Sequence, residues 1–327
     1  MFYPLKFDHK YIEKIWGGTK LQNYRDDLPE VDGQIGESWD VSAQEAGMSI
    51  VQNGKLAGKT LKELTAMYPQ QILGEEIEAE EFPLLLKILD AQAQLSIQVH
   101  PDDEYAAKYP GEAGKTEAWY VIDADEDSYL VIGTEDCSES EFKKAVQNDE
   151  INQYVKKIKV EKGDVFFIKA GLLHAIGAGI MLAEIQQSSD TTYRVYDYGR
   201  GRELHLSKAM DVIDFKLSSE KRKGLKVCGD DYDYSYFCLN DKFALDIIDV
   251  KKAYRDQGDQ QRFYILTVVE GSGKLIYGDQ ELELDEIESV LIPAYSEEFR
   301  IEGNLKLMKS YVPDLEKNQD QILSIIE

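Results

Sequence analysis

Apolar residues along this chain gather in short runs broken by glycine, proline, asparagine and aspartate, a pattern of strands and turns more than of long helices. LLLKILDA (84–91) and LSIQVH (95–100) read as buried strands separated by a polar turn, and EAWYVIDA (117–124) with SYLVIG (128–133) as a strand pair. IGESWDVSA (35–43), IKV (158–160), VFFI (165–168) and IMLAEIQ (180–186) predict further strands. From Phe237 onward the candidates are FALDIIDV (243–250), FYILTVVEGSGKLIY (263–277), SVLIPA (289–294) and FRIEG (299–303), with hairpin turns expected at 271–273 and near 278–279.

Helices are few and announce themselves by their caps. Thr60 and Glu63 have capping-box spacing ahead of an apolar face of Leu61, Leu64 and Met67, and Pro69 limits that helix. Ser138 and Glu141 repeat the pattern before a helix ending near Asn148, while PDDEYAAKY (101–109) reads as a short helix opened by proline. This balance favours a mainly β chain, closed or sandwiched, over a parallel α/β sheet. The charged segment 205–235 suggests a connection, giving an expected division into residues 1–235 and 236–327, the second part without a histidine.

Only four histidines occur, and two stand where a metal site would want them. Strand periodicity puts Gln98 and His100 on one face while Ile97 and Val99 pack on the other. Glu117 opens a nearby predicted strand, and His174 follows a bendable Gly171-Leu172-Leu173 turn. Two imidazoles and a carboxylate make a normal zinc set, with the Gln98 amide oxygen as a weaker addition. Each residue alone also fits a bland role: a hydrogen-bonded core histidine, a surface carboxylate, an ordinary amide.

Charge narrows the partners. The chain carries 37 Lys and Arg against 62 Asp and Glu, a formal net charge of −25 at pH 7. Such a surface repels nucleic acid and anionic membranes, so any phosphate site needs its own local cations. No long apolar run or signal-like leader stands out, and the three cysteines have no paired spacing, which suits a cytoplasmic protein. No glycine-rich phosphate loop argues for ATP or NAD.

KIWGG (14–18), GESW (36–39), FPLLLKILDA (82–91), LSIQVHPDD (95–103), KTEAWY (115–120), GLLHAIG (171–177) and EIQQSSDTTYRVYDYGR (184–200) appear in order. Together they resemble the type I mannose-6-phosphate isomerases of the short bacterial kind, within the cupin superfamily. The resemblance implies cupin-type (jelly-roll) β-barrels with a few short helices, and the second part as a cupin-like β domain without a histidine metal site. It implies one zinc ion per chain, held by His100, Glu117 and His174 with Gln98, and interconversion of mannose 6-phosphate and fructose 6-phosphate through a cis-enediol or enediolate. Arg194 matches the active-site arginine; Glu184, Lys115, Lys87 and Ser96 match positions lining the sugar-phosphate pocket. Glu184 is the leading general base with Lys115 competing, and Lys87, Ser96 and Arg200 are phosphate candidates. Arg194 also fits a salt bridge to Asp190 or Asp197, and Glu184 a pair with a nearby cation. The chain departs from longer relatives in lacking their helical insertion and in reading Gly114-Lys115-Thr116 before the metal glutamate. Another sugar or sugar-phosphate isomerase, or a sugar-binding cupin without catalysis, stands as the alternative, acting as monomer or homodimer.

Overall fold

Ile97 and Val99 are wholly buried on one side of their strand, and this alternation leaves Gln98 facing the other way. In the computed structural model of the chain, which describes residues 2–31 and 33–326, that strand belongs to a five-stranded sheet. Its order is Tyr193–Tyr196, Ile97–Val99, His174–Ile176, Tyr129–Thr134, Val155–Lys159. Neighbours pair antiparallel. A six-stranded sheet follows the order Lys10–Gly18, Ile35–Val41, Leu84–Ala91, Ile180–Gln187, Glu117–Ala124, Val165–Ile168.

The apolar faces of these two sheets meet in one core. Trp119, Val121, Phe166, Ile168, Ile180 and Leu182 from the larger sheet pack with Leu130, Ile132 and Ile176 from the smaller. Each such aliphatic side chain, fully withdrawn from water, contributes about 1.5–3 kcal/mol before entropy is counted. The other face of the smaller sheet (Ile97, Val99, Val131, Ala175, Tyr193, Val195) lies under the helices Glu139–Gln147 and Leu206–Val212 through Phe142, Val146 and Ala209. Both expected capping boxes are present, Thr60 with Glu63 and Ser138 with Glu141, and the second helix stops at Asn148. The expected helix over 101–109 is only Asp103–Ala106, capped by the Asp102 side chain.

A nine-stranded antiparallel sheet runs Leu5–Lys6, Ser289–Ile292, Tyr264–Tyr277, Phe299–Tyr311, Ala244–Val250, Tyr232–Leu239, Leu225–Cys228, with Gln280–Leu284 and Ala253–Asp256 added beside its two longest strands. None of the three sheets closes on itself, which corrects the expected jelly-roll barrels: the fold is mainly β with cupin-like sheets, but open ones. Closure needs the first and last strands to pair. Here the end strands of each order pair only inward, and in the metal-bearing half the interior is filled by side chains meeting face to face, as in a sandwich. The hairpin expected at 271–273 is also absent. One strand, Tyr264–Tyr277, passes straight through it, with a bulge between Val268 and Glu270. The glycines serve close approach instead: Gly273 pairs with Gly303, and a Cβ on Gly303 would sit 2.6 Å from the Gly273 Cα. The turn near 278–279 is a hairpin, Tyr277 pairing with Gln280.

By contacts the chain forms two compact units. One comprises Tyr11–Glu37 and Ile88–Arg222; the other takes residues through Lys10, Ser38–Lys87 and the chain from Lys223 onward. In the second, Asp246 lies 1% exposed and accepts hydrogen bonds from Tyr234 (2.7 Å) and Tyr311 (3.1 Å). Burial pushes its carboxyl up to about 7. Between pH 4 and 7 the unfolded chain has therefore released a proton that the folded chain keeps. Stability is present below the unfolded value and falls, by about 1.4 kcal/mol per pH unit, as pH rises toward the folded value. Asp246→Asn is expected to remove that slope in urea unfolding curves, its gain over the native protein growing from pH 4 to 7; an unchanged difference across those pH values contradicts the assignment.

Candidate metal centre and active site

Strand register assembles the site. His174 opens its strand directly opposite Gln98, and Arg194 stands opposite Gln98 from the other neighbouring strand. Across the core, Gln186 pairs with Glu117 and Glu184 with Trp119 on adjacent strands of the larger sheet. Period two gives Glu117 and Trp119 the same face, so residues from both sheets point into one interior.

His100, Glu117 and His174 converge there, their donor atoms all within 4.8 Å of one another. Each imidazole is oriented by a backbone carbonyl: His100 Nδ1 lies 2.8 Å from the Thr191 oxygen and His174 Nδ1 2.9 Å from the Leu172 oxygen. Donation from Nδ1 leaves the Nε2 lone pair for the interior. His174 Nε2 lies 3.4 Å from Glu117 Oε1, and His100 Nε2 3.5 Å from Glu117 Oε2. Ligands about 2 Å from a tetrahedral ion stand about 3.4 Å apart. Burial also holds the His174 imidazole neutral, its pKa pushed down to about 4 by desolvation first, with the Lys115 charge adding.

Glu117 is 0% exposed, and its Oε1 has no hydrogen-bond partner. A dry carboxylate with an unmet oxygen costs several kcal/mol unless a cation compensates it. The donor set and spacing thus fit one zinc ion per chain. Gln98 stands beside it, Nε2 3.4 Å from His174 Nε2 and Oε1 accepting from Ser96 Oγ at 3.3 Å. A half-turn of the amide brings Oε1 to the metal side, as a fourth ligand requires.

A second layer adds acid–base groups. Lys115 Nζ is 2.9 Å from Glu117 Oε2 and 3.9 Å from Glu184 Oε1. Desolvation pulls the lysine pKa down, but Glu117 and Glu184 outweigh it and the net shift is upward. The Trp119 indole N–H donates to Glu184 Oε2 at 2.8 Å.

Family models match two stretches: "Phosphomannose isomerase type I, catalytic domain" over residues 5–154, and "Mannose-6-phosphate isomerase, cupin domain" over residues 234–312. The Bacillus subtilis protein named "Probable mannose-6-phosphate isomerase GmuF" is 38% identical over 321 residues, covering 95% of this chain and 100% of its own. The mannose-6-phosphate isomerase of Streptococcus mutans is 34% identical, covering 94% and 98%. The chain belongs to the type I mannose-6-phosphate isomerase family. The crystal structure of the mannose 6-phosphate isomerase from Bacillus subtilis superposes with a TM-score of 0.88 at 34% identity, covering 94% of this chain and 99% of that one.

In this member of the family, Arg194 Nε donates to Ser96 Oγ at 3.3 Å and one terminal nitrogen to the Glu203 carbonyl at 2.8 Å. Ser96 thus links the arginine to Gln98 and the metal face. The bland alternative for Arg194, a salt bridge to Asp190 or Asp197, is not formed; Asp197 is taken by Arg200 and Arg202. Arg200 also donates to the Asp197 and Gln94 carbonyls, so it shapes the loop as well as adding charge. Desolvation, with the charges of Arg202 and Arg200 among the further causes, lowers the Arg194 pKa. Lys87 belongs to the other unit, where its ammonium lies 4.7 Å over the Trp39 ring.

Sequence reasoning missed Trp119 and Arg202. Trp119 had a signal: it lies two residues beyond Glu117 on one strand and so shares its face. Arg202 and the two orienting carbonyls had none, because both depend on how loops close in space.

Proposed function

We propose that this family member interconverts mannose 6-phosphate and fructose 6-phosphate in the cytoplasm, with one zinc ion per chain, and that residues 1–235 carry the chemistry. The observation that carries the reading is the buried convergence of His100, Glu117 and His174 beside a second buried carboxylate, Glu184. When bound, zinc polarises the carbonyl and steadies negative charge on the neighbouring oxygen. Moving a proton between C1 and C2 then needs a base, and Glu184 is the fitting one. It is 4% exposed and its carboxylate is held by Trp119. Lys115 is the competing proton-transfer group, its ammonium 2.9 Å from Glu117 and 3.9 Å from Glu184. Arg194 supplies a permanent charge with directed donors for the enediolate oxygen or the phosphate.

The phosphate must enter a chain of net charge −25. The charges of Arg202 and Arg200 reach Arg194 and help lower its pKa, and with Ser96 the three arginines form the local cationic patch that such a substrate requires. Lys87 is a further phosphate candidate. Among the described residues no helix is long and apolar enough to cross a membrane.

The test is direct. Metal-analysed protein is mixed with fructose 6-phosphate, with and without chelator. Mannose 6-phosphate should form, stop on chelation and return with zinc; no product from folded, zinc-loaded protein overturns the proposal. In the same assay Arg194→Ala should lose turnover while retaining zinc.

A further inference from the structure

In the unit that does not hold the metal centre, the nine-stranded sheet carries an open cavity of about 680 Å³. This is within the range of small-molecule sites, roughly 300–1,000 Å³. None of the residues assigned to the isomerase site lines it. Its walls are aromatic. Tyr232, Tyr234 and Tyr236 alternate along one strand and so share a face, and Tyr254, Tyr264 and Tyr311 join them from three others.

Four of these six rings are held in place by their hydroxyls. Tyr234 and Tyr311 donate to Asp246, Tyr254 to Asp256, and Tyr264 to Asp259 at 2.7 Å. Lys309, only 7% exposed, donates to Asp256 at 2.7 Å and to the Tyr254 oxygen at 3.2 Å, and its ammonium sits 3.8 Å from the Tyr264 ring centre. The arrangement is therefore set before any ligand arrives, which lowers the entropy cost of binding.

The charges inside are matched. Lys309 faces Asp256, Arg262 pairs with Glu76 at 2.6 Å, and Lys317 lies 3.6 Å from the same glutamate. The buried cations of the wall are thus paired, and among the described lining residues only Arg255, exposed at the rim, is a cation without a carboxylate partner. What remains is a set of apolar ring faces bordered by hydrogen-bonding groups, Asp259 and Asn318 already held by bonds and Gln321 exposed. Water can satisfy the polar groups but not the ring faces. A pyranose satisfies both, because its C–H faces stack on aromatic rings while its hydroxyl rim meets carboxylates and amides.

We propose that this cavity is a second binding site, selective for a neutral pyranose ring. The probe is methyl α-D-mannopyranoside, whose locked ring cannot isomerise and which carries no phosphate. Calorimetric titration of the zinc-loaded full chain should give a dissociation constant of about 1 mM. Tyr236→Ala should weaken it at least about tenfold, Tyr236→Phe much less, and both should keep native kcat and KM in the isomerase assay. Gln321→Trp, at an exposed helix position on the cavity wall, should block binding without touching the sheet. His174→Ala should leave the titration unchanged. The proposal is overturned by no heat up to about 50 mM glycoside, by binding lost in His174→Ala but kept in the cavity variants, or by a Tyr236-dependent response to inorganic phosphate alone.

Discussion

His174→Ala is expected to abolish zinc retention and to lower isomerase turnover on the order of a thousandfold or more. The site offers no replacement. His100 and Glu117 remain, but the Gln98 amide is a weak donor, and Lys115 already neutralises one Glu117 oxygen. Two ligands and an ammonium 2.9 Å from the shared carboxylate do not hold a divalent ion in a dry interior. Two readouts separate metal loss from misfolding. Metal analysis after gel filtration should give about one zinc per native chain and close to none in the variant. Added zinc should raise the Tm of stripped native protein, because an ion that binds only the folded state stabilises it by mass action, and should leave the variant's Tm where it was. A variant that keeps a full zinc complement would remove His174 from the ligand set.

Much of that centre was legible beforehand because strand periodicity is a local property. The alternation of Ile97, Gln98, Val99 and His100 already separated packing from chemistry, and the buried strand Leu84–Ala91 was marked by its own composition. Cap chemistry is equally local, so both capping boxes formed where their spacing put them. Partner choice between distant strands is different. Nothing within 95–100 or 171–177 says that Gln98 lies opposite His174, or that Glu184 meets Trp119 across a strand pair. The same limit explains the two corrections. Barrel closure depends on which end strands find each other, and here they stay as edges. The glycines at 271 and 273 have turn-like composition, yet a positive φ at Gly271 and the contact with Gly303 serve a bulged, close-packed strand.

The Glu184–Trp119 contact gives the second large effect. Glu184→Gln should lower kcat by about 10²–10⁴, the usual worth of a positioned general base, while zinc content and fold persist. Persistence is expected because the amide oxygen can still accept from the Trp119 indole, and Gln has the same shape. The decisive measurement is solvent hydrogen exchange into the sugar: it should slow in parallel with turnover, and exchange at the native rate would show that another group carries the proton. Trp119→Phe separates positioning from chemistry. It keeps an aromatic ring beside His174, whose centroid lies 5.5 Å away, and removes the N–H to Glu184 together with part of a buried ring. Losing a donor to the ionised carboxylate raises that group's pKa, so the acidic limb of the kcat/KM profile should move to higher pH. The plateau should fall by about tenfold, less than for Glu184→Gln, with zinc retained. A packing role alone predicts lower stability and an unmoved pH limb, and that pattern would confine Trp119 to the core.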